Sequence, residues 1–194
     1  MRARVACVVG VVALAGVSGG AAWGASGAWK AQVATDAKGD VGDGDLDLTR
    51  VSLKRASDGR LQASLTLASS WDGKDLLADS GPPGSLCLKL WTTSKPPDTT
   101  PQWLVCATAG KDGALRGSIL QQRANKLPAR TGGADVSQPS GRTVTLRFAA
   151  SAVGGPSKLH AAAEATRPGC TRGSCTDLAP DAPKTLTYTL ETAK

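Results

Sequence analysis

The chain has 194 residues, with 23 Lys and Arg against 16 Asp and Glu, a formal net charge of +7 and 41% hydrophobic residues. That length indicates one domain. The basic charge is dispersed, with no run of five or six like charges and no interleaving with aromatics, which argues against a nucleic-acid surface and leaves only weak attraction to an anionic cell envelope.

Residues 1–25 read as a secretory signal peptide. Arg2 and Arg4 give a positive start, Val5 to Val17 is apolar, and small residues follow from Ser18 to Gly27. Cleavage after Gly24 or after Ala28 both suit such a leader. The apolar run is shorter than the roughly 20 residues that span a bilayer, and no second hydrophobic span occurs. The expectation is a secreted, monomeric chain with no transmembrane segment. Loss of Arg2 and Arg4 leaves 21 basic against 16 acidic residues, or +5.

Cys7 lies in the leader, so four cysteines remain: Cys87, Cys106, Cys170 and Cys175. An even count in an exported chain reads as a disulfide framework. Zinc fits poorly, because the spacing is not C-x-x-C and the single histidine, His160, is remote from both pairs.

Residues 26–35 are small and polar, a flexible lead-in to one domain over 36–192. That domain opens on five aspartates within twelve residues, Asp36, Asp40, Asp43, Asp45 and Asp47. From Leu46 the pattern is strand-like, and a change of parity between Leu48 and Val51 predicts a bulge near Thr49–Arg50. Ser57-Asp58-Gly59-Arg60 is a turn, and Leu61 to Leu67 alternates apolar with polar. Pairing Leu53 with Leu65 and Val51 with Leu67 keeps the apolar residues on one face and leaves a three-residue loop, 58–60.

After a polar loop from Ser69 to Ser85, Leu86 to Trp91 alternates again, and a Pro-rich loop leads to Gln102–Cys106. Setting Cys87 opposite Cys106 also sets Leu88 against Val105 and Leu90 against Trp103, one continuous apolar face. Directly opposed antiparallel residues lie close enough for a disulfide. Cys170 and Cys175 would close a small loop of their own.

Leu115–Leu120 is a weaker strand, and Gln121 to Ser140 reads as loop. Arg142 to Phe148 is a strand, Ala149–Gly154 a short helical turn, Leu159–Ala165 a strand despite its alanines, and Leu186–Leu190 a closing strand. The predicted fold is all-β: an antiparallel β-sandwich, jelly-roll or immunoglobulin-like in overall shape, of about eight strands with two disulfides.

Catalytic motifs are absent: there is no G-x-S-x-G, H-E-x-x-H, P-loop or G-x-G-x-x-G. His160 would have to serve any Ser-His-Asp arrangement, and its strand face looks solvated. Asp36, Asp40, Asp43 and Asp45 form a candidate calcium set, since hard cations take six to eight oxygens. Asp43 to Asp47 begins like an EF-hand loop but carries Leu48 at the sixth position and Lys54 at the twelfth. A solvated, charge-rich turn is the competing explanation. Trp103 falls on the core face by parity. Trp71, in a loop, and Trp91, on the opposite face, form a candidate sugar platform, although burial is the commoner fate of such residues.

Asp36-x-x-Gly39-Asp40, Leu46-Asp47-Leu48-x-x-Val51, the run Leu61–Leu67, and the strand–turn–strand from Thr143 through Ser151–Gly154 to Leu159 resemble a DOMON-like, family 9 carbohydrate-binding-type sandwich. The whole chain also resembles exported, cysteine-containing proteins of high-GC Gram-positive bacteria. The resemblance implies a structural calcium near the acidic start and a sugar or haem on the concave face. Haem is disfavoured, because Met1 is the only methionine. The expectation is an exported, non-catalytic binding module at the cell envelope or in the medium, with a glycan as ligand and no cofactor, structural calcium being the one candidate. The alternatives are a structural or interaction protein of the envelope and, third, a hydrolase built on His160.

Overall fold

The computed structural model describes residues 30–40, 46–92, 100–170 and 175–190. The leader, Asp43 and Asp45 lie outside them. Twelve antiparallel strands are present among the described residues: β1 Gln32–Thr35, β2 Leu48–Arg55, β3 Leu61–Leu67, β4 Ser85–Trp91, β5 Trp103–Ala109, β6 Leu115–Arg123, β7 Lys126–Gly132, β8 Asp135–Ser140, β9 Thr143–Phe148, β10 Lys158–Thr166, β11 Thr176–Ala179 and β12 Leu186–Thr189. They form a sandwich of two sheets. The five-stranded sheet runs β1-β2-β3-β9-β8, and the seven-stranded sheet runs β11-β10-β4-β5-β6-β7 with β12 also on β10.

Alternation supplies the core. Leu48, Val51, Leu53, Leu61, Leu65, Leu67, Leu146 and Phe148 from one sheet meet Leu86, Leu88, Leu90, Val105, Ile119 and Leu159 from the other, all at 1% exposure or less. Fully burying each such side chain is worth about 1.5–3 kcal/mol. Inward alanines of β10, Ala161, Ala163 and Ala165, complete the layer. In isolation they favour a helix. Pairing with β4 on one edge and with β11 and β12 on the other overrides that preference.

The disulfides are Cys87–Cys106 and Cys170–Cys175. The β4–β5 register sets Cys87 opposite Cys106, Leu88 opposite Val105 and Leu90 opposite Trp103, as the alternation predicts. Closing that loop is worth about 3 kcal/mol in the chain-entropy model. The bulge also falls as expected, between Leu48 and Arg50.

Three expectations are corrected. Val51 pairs with Leu65 and Leu53 with Ala63, so the β2–β3 register lies two residues from the predicted one and the loop is 56–60. A shift of two preserves the apolar face, so parity cannot detect it. Asp58 anchors that longer loop by accepting from Arg60 at 2.7 Å and from Arg147 at 2.9 Å, which holds its carboxyl down at about pKa 2. Second, residues 121–140 are not a loop. They carry the end of β6 and all of β7 and β8, edge segments with water on much of both faces and hence no apolar alternation. Third, the lead-in ends in β1, an edge strand on β2.

β11 and β12 run in the same direction along one edge of β10, pairing with Ala163–Thr166 and Lys158–Ala161 respectively. They are one edge strand interrupted opposite Ala162 by an excursion over residues 180–185. That interruption positions the groups described next.

The start of β8 crosses β6 at Gly117, where an added Cβ would lie 2.0 Å from the Ala134 carbonyl oxygen. Gly117→Ala must therefore shift backbone. We expect it to cost about 1–3 kcal/mol and to lower the thermal midpoint by about 2–4 °C per kcal/mol, measured by circular dichroism against wild type.

Candidate metal centre

Of the aspartates at the start of the domain, the described ones, Asp36, Asp40 and Asp47, do not form one solvated turn, since Asp47 is buried. Asp36 follows β1 and hydrogen-bonds through its N–H to the Thr49 carbonyl at 2.9 Å, which extends the β1–β2 ladder. Asp47 immediately precedes β2 and is 8% exposed; its Oδ2 accepts from the Gly39 N–H at 2.7 Å. That bond sets Gly39 beside Asp47 at the edge of the five-stranded sheet.

The facing edge belongs to the other sheet. In β11, Asp177 and Ala179 take the core-facing parity while Thr176 and Leu178 face outward. Asp177 is 5% exposed, and its Oδ2 accepts from the Leu48 N–H at 2.5 Å across 129 residues of sequence. One carboxylate therefore ties β2 to β11 and closes this edge of the sandwich. Asp181 adds a further carboxylate from the excursion.

Two carboxylate triads result: Asp40, Asp47 and Asp177, and Asp36, Asp40 and Asp181, each with oxygens mutually within 4.8 Å. None of the ion pairs among the described residues reaches these five. Burial pushes the Asp177 carboxyl up to about 6; the Leu48 and Leu178 N–H groups oppose that rise, and the Asp40 and Asp47 charges add to it. Burial also raises Asp36, helped by the Asp181 and Asp40 charges. Buried oxygens Asp47 Oδ1 and Asp36 Oδ2 have no hydrogen-bond partner. A buried carboxylate oxygen with neither donor nor cation is costly. Here two carboxylate triads share Asp40, and among the described residues no ion pair balances them. An all-oxygen donor set of this kind suits calcium or magnesium rather than zinc or copper.

Of the predicted set, Asp36 and Asp40 are here, while Asp43 and Asp45 lie outside the described residues. Sequence reasoning passed over Asp47 as a ligand and missed Asp177 and Asp181, which are more than 120 positions downstream. The available signal was a charged residue at a core-facing position, in a segment that was not assigned as a strand.

Trp71 and Trp91 do not form a shared platform. Each is 4% exposed. Trp71 packs in the core between the sheets, held by its backbone N–H to the Gly141 carbonyl and by Gln138 Nε2 to its own backbone carbonyl at 2.7 Å, while its indole Nε1 is buried without a partner. Trp91 lies on the outer face of β4, beside a groove of about 280 Å³. A larger cavity of about 440 Å³ adjoins it across Thr100 and Pro101 and is lined by Gln102, Gln122, Arg123 and Asn125. His160, also on the outer face, hydrogen-bonds through Nδ1 with Thr187 at 3.2 Å, and its Nε2 is buried without a partner. Burial, with the Lys158 charge, lowers its pKa.

No family model, curated protein or solved structure matches the chain.

The raised Asp177 pKa fixes a pH dependence for cation-free protein. Between the ordinary value near 3.8 and the folded value near 6, the native state binds more protons than the unfolded state, so this group's contribution to stability falls as pH rises. We expect the thermal midpoint in chelator to rise as pH is lowered from 7.5 to 5.5, and Asp177→Asn to flatten that slope. A midpoint that falls equally in both proteins would show that Asp177 is not the titrating group.

Proposed function

We propose that this chain is an exported, non-catalytic β-sandwich that holds a divalent cation, calcium, at the acidic seam and binds a glycan on the outer face of its seven-stranded sheet. The observation that carries the cation is Asp47. Its side chain is buried in a cluster of like charges, with one oxygen fixed by Gly39 and the other unpartnered. A calcium ion bound by Asp40, Asp47 and Asp177, with Asp36 and Asp181 alongside, would supply the missing positive charge and the missing coordination together. Its role would be to fasten the two sheets, since the carboxylates come from both edges.

Export accounts for the apolar leader and for the two disulfides, which persist in oxidising compartments. Among the described residues no helix is long and apolar enough to cross a membrane. A glycan is favoured by the adjoining cavities at Thr100 and Pro101. Gln122 and Asn125 offer amides that can both donate to and accept from sugar hydroxyls. The DOMON-like expectation, a sandwich with an acidic start that holds structural calcium, fits the same arrangement. An interaction protein would be better served by a contiguous apolar patch, whereas Val33 and Leu127 are the large hydrophobic side chains exposed among the described residues. A hydrolase built on His160 lacks a carboxylate among that residue's hydrogen bonds.

Calcium at about a hundred times its dissociation constant stabilises by about 2.7 kcal/mol. At about 2–4 °C per kcal/mol for a chain of this size, we expect calcium to raise the midpoint by roughly 5–10 °C over chelator. Asp47→Asn should abolish most of that gain. An unshifted midpoint in wild type would leave the seam as a carboxylate cluster that holds no calcium. On a polysaccharide pull-down, we expect retention that Gln122→Ala weakens; no retention on any polysaccharide would remove the glycan.

A further inference from the structure

The excursion over residues 180–185 has two sides, and both are occupied. Asp181 turns to the acidic seam, within 4.8 Å of carboxylate oxygens of Asp36 and Asp40. Pro180 and Lys184 wall the groove of about 280 Å³, whose floor is Lys89, Trp91 and Ala162 and whose far wall includes Pro101. The division begins in β11, where Asp177 takes the core-facing parity and the next residue, Leu178, lines the groove.

We infer that this groove binds an anionic, carboxylate-bearing sugar unit, and that a cation at the acidic seam strengthens the binding by fixing the 177–184 segment as the groove wall. The inference rests on the cation reading above. Charge selects the ligand. Lys89 is committed to Glu164 at 2.9 Å. Lys184 is exposed and takes part in none of the ion pairs among the described residues, so one ammonium remains at the mouth to meet one carboxylate. Size limits it too, because small-molecule sites run from about 300 to 1,000 Å³; a groove just below that range takes one sugar ring rather than a chain. Pro101, Pro180 and the narrow exposed strip of Trp91 give the apolar contact that a ring's C–H face requires.

The coupling follows from the excursion's limited support. It leaves the β10 ladder at Ala179 and rejoins it at Leu186; Lys184 N–H to the Asp181 carbonyl, at 2.9 Å, is its own internal backbone bond. Without a cation, the hydrogen bond from the Asp181 N–H to the Asp36 carboxylate works against the like charges of Asp36, Asp40 and Asp181, which push Asp181 from the seam. With one, Asp181 is held, and the sugar no longer has to order the wall at its own expense. By linkage, the sugar tightens the cation by the same factor.

The test is calorimetry on the full disulfide-bonded chain. Calcium is titrated first. Glucuronate and its methyl ester are then titrated in calcium and in chelator, with wild type, Lys184→Glu and Asp181→Asn. We expect glucuronate to bind about fivefold or more tightly with calcium, the methyl ester and Lys184→Glu to lose most of that affinity, and Asp181→Asn to lose the calcium-dependent gain. Equal glucuronate affinity with and without calcium, on a chain that takes up calcium, overturns the coupling and leaves the cation reading intact. Absence of calcium uptake overturns both. No glucuronate binding in either condition overturns the ligand class, and calcium-dependent binding undiminished in Lys184→Glu shows the sugar held by the ion alone and overturns the groove.

Discussion

One edge of the sandwich is closed by a carboxylate rather than by apolar packing. Asp177 sits at a core-facing position, 95% removed from solvent, and its Oδ2 takes the first N–H of β2 from the opposite sheet. A valine there would bury well but could not satisfy Leu48 N–H, and an unpaired buried donor costs about 1–3 kcal/mol. The solution creates its own difficulty, because the same edge gathers Asp36, Asp40, Asp47 and Asp181. Closure of the fold and concentration of negative charge are one structural fact, and the proposed cation site follows from it.

Much of the architecture was legible because strands with one wet face write a period of two into the sequence. The runs at Leu61–Leu67, Leu86–Trp91 and Thr143–Phe148 show it, and the Cys87–Cys106 register followed from matching faces across a pair. The same period hid the β2–β3 error. Parity is blind to a slip of two residues, and the loop that decides the matter is held by Asp58, Arg60 and Arg147, whose meeting spans 89 positions. β7 and β8 left no period because much of each face meets water.

The candidate site was half legible. The aspartate run marked Asp36 and Asp40, but of the two buried carboxylates in the cluster, Asp47 lies in that run and Asp177 comes from β11, brought there by the whole β3-to-β10 path. Trp91 illustrates the opposite failure. Its outward parity was read correctly, yet outward on this sheet does not mean exposed, because Leu178 and the residues after it return over that face. Parity reports which side of a sheet a residue occupies; what later lies on that side is a tertiary matter.

The interrupted edge at β11 and β12 bears on how the molecule behaves among its own copies. A long, flat, unpaired strand invites a second chain to extend the sheet, and proline is one device that prevents it. Pro180 and Pro183 break the edge beyond β10, Pro128 lies in β7 at the far side of the same sheet, and Pro139 lies in β8 at one side of the other. The fourth edge, β1, is four residues long. Each border of the sandwich is thereby made a poor template for edge-to-edge aggregation.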